Sequence, residues 1–147
     1  MRILISACLL GTSCRYDGGN NERPWIKNLM KNHTLIPVCP EQLGGLSTPR
    51  PPVEWVDGKA MNNEGRDCTE EFMRGAQEAL RLTKLYDCRL AILKAKSPSC
   101  GSQHIYDGTF SGTVIEGKGA TARLLEENRI AVLNEYDAER FFIRTGL

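Results

Sequence analysis

Short apolar runs recur along this chain, separated by polar loops and by segments with helical spacing. "RILISA" (2–7), "TLIPV" (34–38), "RLAILK" (89–94) and "IAVLN" (130–134) are apolar through their centres and do not alternate with polar residues. Such runs predict strands buried on both faces, as in a parallel sheet covered by helices. Between the first two, "PWIKNLMKN" (24–32) predicts a short helix. Pro24 suits its first turn, and Trp25, Leu29 and Met30 form its apolar face. The longest helical pattern covers 68–86, where Phe72, Ala76, Ala79, Leu80 and Thr83 share one side. Asp67 is placed to cap it, with Glu70 completing a capping box. Shorter helices are expected from about Thr121 to 128 and after a cap at Asp137. "VEWVDGKAMN" (53–62) reads as a hairpin turning at Asp57-Gly58, and Asp107-Gly108 signals a second one.

Strands alternating with helices predict an α/β fold. The expected form is a three-layer sandwich with a mainly parallel, Rossmann-like sheet of about four strands plus a small hairpin. One domain would span residues 1–147. Loops 9–22, 39–52 and 95–119 are too long to be mere connectors. Each follows a strand, which puts all three at the carboxyl edge of the sheet, where open α/β folds place their sites.

Composition narrows the function classes. Nineteen basic and eighteen acidic side chains nearly cancel, so nothing argues for general nucleic-acid binding. No apolar run is long enough to span a bilayer. "MRILISACLLG" is too short for a secretory leader and passes directly into a polar loop, so a cytoplasmic protein is expected. Six cysteines, at 8, 14, 39, 68, 88 and 100, then need a reason. In a reducing compartment clustered thiols are more often metal-binding or catalytic than disulfide-bonded.

Cys8 and Cys39 follow the first two strands, and Cys100 lies a few residues beyond the third. Three thiols from distant parts of the chain therefore converge on one sheet edge, provided those strands are neighbours. Convergent thiolates suit a soft metal centre, and three protein ligands would leave one coordination position open. There is no CxxC pair, and small buried thiols at strand ends are the alternative. Cys14 is either a fourth ligand or redox partner, or a plain loop thiol. Cys68 and Cys88 fall on the wrong side of the sheet and are read as structural.

Three motifs carry a resemblance: "SACLLGTSCRYDG" (6–18), "VCPEQLGGLSTPRPPVE" (38–54) and "LKAKSPSCG" (93–101). Together with "DGTFSGTVIEGKGATARLLEENRI" (107–130), they resemble a family of small bacterial proteins. That family was long labelled only as a domain of unknown function and is now associated with thiouracil desulfidation. The resemblance implies a [4Fe-4S] cluster with one open iron, held by Cys8, Cys39 and Cys100. It implies a catalytic acid at Glu41 and an important serine at Ser97. The implied reaction removes sulfur from a thiolated pyrimidine, giving uracil and hydrosulfide without net redox change. Glu41 would move a proton of the attacking water, and Ser97 would orient substrate or water. The expected partner is a small thiolated nucleobase, with no membrane involved.

Two other readings use the same thiols: a cysteine sulfurtransferase with Cys100 as nucleophile, and a non-enzymatic metal-binding or redox-sensing module. Arg15, Arg50, Lys94 and Lys96 either offset site charge or are surface cations. Tyr16 or Trp55 could stack on a pyrimidine or simply pack. Asp17 and Glu54 are expected to hold loops. "GKGAT" (117–121) reads as a helix start rather than an anion site, and neither His33 nor His104 has a ligand partner in sequence.

Overall fold

The computed structural model describes residues 1–146. Its strands are β1 (Arg2–Ser6), β2 (Thr34–Val38), β3 (Val53–Val56), β4 (Lys59–Asn62), β5 (Leu90–Ile92), β6 (His104–Tyr106), β7 (Val114–Glu116) and β8 (Ala131–Leu133). Its α-helices are α1 (Pro40–Leu43), α2 (Thr69–Leu85), α3 (Ala120–Glu127) and α4 (Glu135–Thr145). The four apolar runs form one all-parallel sheet in the order β2-β1-β5-β8. The pairs β3-β4 and β6-β7 are separate antiparallel hairpins. The expected α/β architecture is met, with a second hairpin beside the first.

Successive residues of β1 alternate between two cores. Ile3 and Ile5 meet Ile92 of β5 under Ile26, Leu29, Ala138 and Phe142 on one face. Leu4 meets Ala91 and Leu93 under Ala79, Leu80, Ala122 and Leu125 on the other. The third layer is thus a consequence of the two-residue period of a strand. Burial on both faces holds for the inner strands only. β2 is an edge strand with Thr34 and Pro37 exposed, and Pro37, which has no N–H to donate, suits that place.

Several local expectations are corrected. Pro24–Lys31 winds as a 3-10 helix, whose period of three puts Ile26 and Leu29 inward and leaves Met30 59% exposed. Cys68, not Asp67, occupies the cap position of α2. Asp67 acts one residue earlier, its Oδ1 accepting from Thr69 N (2.9 Å), while Glu70 pairs with Arg74 instead of closing a box. Asn134 caps α4 by accepting from Tyr136 N and Asp137 N, so Asp137 is a helical residue. Gly119 precedes α3, which begins at Ala120. The Asp57-Gly58 turn is as expected, both residues having positive φ (49° and 78°).

One packing contact positions the site. The short α1 lies backbone to backbone on α2: a Cβ on Gly75 would collide with the Pro40 carbonyl, and one on Gly44 with that of Glu71. This approach fixes where the start of α1 stands. Gly75→Ala gains up to about 1 kcal/mol of helix propensity. The overlap it creates is backbone on backbone, and overpacking costs typically about 1–3 kcal/mol. A net loss of stability is therefore expected, measured as a lower urea midpoint.

Candidate functional site

The carboxyl edge of the sheet opens into a cavity of about 490 Å³, within the range of small-molecule sites. Cys8 reaches it from the 3-10 turn Ala7–Leu10 that follows β1. Cys39 is the residue after β2 and the cap of α1. Cys100 comes from the loop after β5. Because β2, β1 and β5 are adjacent, the three thiols expected to converge do line one cavity.

A fourth thiol joins them. Cys14 is only 3% exposed and lies in hydrogen-bonding reach of both Cys8 and Cys39. It is therefore not an outlying loop thiol. The loop after β1 turns back on itself, with Gly11 N on Cys8 O, Thr12 N on Ala7 O and Cys14 N on Thr12 O. Arg50 Nη2 then holds the Cys14 carbonyl (2.9 Å). Nothing in the sequence announces that return.

The thiols differ in proton affinity. A hydrogen bond from Cys14 lowers Cys8 to about 7 and Cys39 to about 6, in each case against the penalty of burial. The Gln42 N–H and the Arg50 charge also favour thiolate at Cys39. Cys14 itself is pushed up, first by Cys39 and then by Cys8. Burial pushes Cys100 up, opposed by the Ser6 hydroxyl. Ser6 also accepts from Lys94 N (2.9 Å), so it ties the end of β1 to the loop that carries Cys100. In the sequence Ser6 carries no sign of this role, because it sits inside an apolar run.

Glu41, the second residue of α1, lines the same cavity with its side chain 14% exposed. Burial pushes its carboxyl up from the usual value, and Arg50 partly offsets this. Arg50 is 5% exposed and donates from Nε to Glu41 Oε1 (3.0 Å) and from Nη1 to Thr48 Oγ1 (2.8 Å) and Ser47 O (3.2 Å). It is a joint between the loops after β1 and β2, not a surface cation.

Ser97 Oγ accepts from Ser99 N (3.1 Å) and Cys100 N (3.0 Å). Its lone pairs hold the turn around Cys100, which leaves its O–H as a donor at the cavity wall. Lys94 Nζ meets the fully buried Glu135 (3.1 Å), whose other oxygen accepts from Ala95 N (2.7 Å). Glu135 is a second residue without a sequence signal; it fixes the first turn of α4 to the end of β5.

The remaining candidates divide. Tyr16 is exposed at the cavity under Arg15, whose guanidinium carbon stands 5.4 Å from its ring centre. Exposed Lys96 lines the cavity as well. Trp55 is taken up in packing, donating to Pro98 O (2.8 Å) and meeting Phe72 edge-on. Asp17 Oδ1 accepts from Gly19 N (2.9 Å) and holds its loop as expected. At "GKGAT", the N–H groups of Gly119, Ala120 and Thr121 already donate to Gly101, Pro98 and Ser99 carbonyls, so the segment is a helix start. Among the described residues no three His, Cys, Asp or Glu side chains close as the cage of one metal ion, and no helix is long and apolar enough to cross a membrane.

Comparison with known proteins agrees with this geometry. The chain is 42% identical over 143 residues to the uncharacterized protein YbbK of Bacillus subtilis (strain 168), covering 90% of this chain and 95% of YbbK. Among solved structures it superposes on a [4Fe-4S]-dependent thiouracil desulfidase, TudS, with a TM-score of 0.91 and 40% identity. That match covers 99% of this chain and 97% of TudS. A family model for 2-thiouracil desulfurases matches residues 3–137, and by that match over nearly its whole length the chain belongs to the 2-thiouracil desulfurase family.

Proposed function

We propose that this protein is a [4Fe-4S]-dependent desulfidase. It removes sulfur from thiolated pyrimidines such as 2-thiouracil to give uracil and hydrosulfide, without net redox change. The observation that carries the reading is the placement of Cys8, Cys39 and Cys100, from three adjacent strand ends, around a cavity shared with Glu41.

The donor set fits such a cluster. Thiolates are the usual ligands of iron–sulfur centres. Cys8 and Cys39 are both shifted toward thiolate, the form a metal needs. Arg50 and Lys94 supply positive charge beside them. When bound, the cluster would supply a soft Lewis acid for the thiocarbonyl sulfur.

The chain's own groups do the rest. Glu41 takes a proton from the attacking water and returns it to the ring or to the departing sulfur. Its raised proton affinity suits both halves of that task. Arg50 holds the Glu41 carboxylate through one oxygen, leaving the other for water. Ser97 donates its hydroxyl proton to orient substrate or water, while its oxygen stays fixed by two backbone N–H groups.

Anaerobic reconstitution with iron and sulfide, followed by a panel of thiolated bases, tests the reading. The expected result is a coloured protein that releases hydrosulfide from 2-thiouracil. Reconstituted protein that stays colourless, or that is coloured and releases none, would sink it.

A further inference from the structure

We propose that Phe110 is the stacking platform that makes this site select planar heteroaromatic thiones, and that Glu54 is the positioning residue that aims it. The inference deepens the desulfidase reading and rests on it.

Phe110 lies in the loop 107–113 between β6 and β7 and lines the cavity together with Tyr106 and Gly112. Its ring makes no aromatic contact of the kind that holds Trp55 to Phe72 or Phe141 to Phe142 among the described residues. The residue is 37% exposed and belongs to none of the three buried clusters. Its φ is +56°, in the left-handed region that a bulky L-residue avoids. Strain of that kind persists where the surrounding structure enforces it, and it collects at ligand clamps.

The enforcing structure is visible. Asp107 Oδ1 accepts from Thr109 N (2.9 Å) and Thr109 Oγ1 (2.6 Å), and Asp107 N donates to Thr113 O (2.9 Å). Hydroxyls of Thr109, Ser111 and Thr113 run in a chain through the loop. Glu54, buried on β3, accepts on one oxygen from Gly108 N (2.9 Å) and Phe110 N (3.1 Å). Gly108 presses on the same strand so closely that a Cβ there would stand 2.6 Å from Trp55 O. Trp55 in turn is bonded to Pro98 O in the loop that carries Cys100. Loop, hairpin and thiol loop are one braced frame, and a carboxylate buried inside it fixes the backbone N–H of the exposed ring.

A braced aromatic face at a cavity wall recognises flat rings. Every nucleobase has a π face, so stacking is tolerant of ring substituents. Phe110 therefore selects for planarity, and the accepted class extends from thiopyrimidines to thiopurines. The exocyclic pattern is left to groups elsewhere in the cavity.

The test uses the whole chain, with equilibrium binding of 2-thiouracil and of unreactive uracil, and steady-state hydrosulfide release. Phe110→Ala is expected to raise the dissociation constants and KM about tenfold, the scale of one lost base–aromatic stack, with kcat within about twofold. Phe110→Trp should restore both. Glu54→Ala should reproduce the Phe110→Ala rise in KM, while Glu54→Gln, which keeps an accepting oxygen, should retain the wild-type KM. Unchanged binding in Phe110→Ala, failure of Phe110→Trp to restore it, or a loss confined to kcat would overturn the platform. Binding separates the two ideas. Wild-type protein that binds 2-thiouracil about tenfold tighter than Phe110→Ala but releases no hydrosulfide keeps the platform and removes the desulfidase reading.

Discussion

Cys39→Ala should yield a folded protein that takes up no iron–sulfur cluster and releases no hydrosulfide. The fold is expected to survive because Cys39 contributes little to it. Its thiol makes only weak sulfur hydrogen bonds, with Cys14 and the Gln42 N–H, and it is only partly buried. The position of α1 is set instead by the Gly44 and Gly75 contacts with α2. The loss of cluster is expected because Cys39 is the one thiol that the end of β2 brings to the cavity, so its removal takes away one whole side of the ligand set. Iron content and circular dichroism after anaerobic reconstitution check the two halves. Wild-type iron in this variant would remove Cys39 from the ligand set.

Glu41→Gln should retain the cluster and lose turnover. General acid–base groups contribute typically about 10²–10⁴ in rate, and that is the expected fall in hydrosulfide release. Gln is the informative substitution because it still accepts from Arg50 Nε. Glu41→Ala would leave a nearly buried guanidinium without its carboxylate, and the cost of an unpaired buried charge would be mixed with the chemistry. Stability and iron content near wild type, with turnover nearly gone, isolate the proton-transfer role. Full turnover in Glu41→Gln would remove Glu41 from the mechanism.

Legibility varied with the range of the interaction. The strands were readable because four short apolar runs admit few other structures. β2 kept both its expected ends, and the other three lost one or two residues at an end, as hydrogen bonding and not polarity ends a strand. The segment 24–31 was readable as helical but not as 3-10, since the difference lies in which carbonyl each N–H chooses. Asp67, Asp137 and Asn134 are all good capping types, and the offsets of one residue at α2 and three at α4 are decided by how the preceding loop arrives.

The site divided in the same way. Cys8, Cys39 and Cys100 were recoverable because strand ends map to one sheet edge whatever the details. Glu41 and Ser97 were singled out by the family's motifs. Cys14 stood open between a place at the site and a plain loop thiol, and Ser6 and Glu135 carried no signal. Cys14 depends on a loop folding back, Ser6 is hidden in an apolar strand, and Glu135 sits on the last helix, far in sequence from the Lys94 it holds.

The residue pattern alone is enough for an α/β chain with a parallel sheet, three long loops at its carboxyl edge and three thiols among them. Those features follow from local apolar patterning and from the handedness of crossover connections, which every chain of this pattern shares. The folded chain adds that β2, β1 and β5 are neighbours, that Cys14 stands between Cys8 and Cys39, and that Arg50 and Glu54 brace the loops around the cavity. These depend on contacts between segments tens of residues apart. Whether such contacts form is settled by how the loops pack against one another, not by the residues on either side of each.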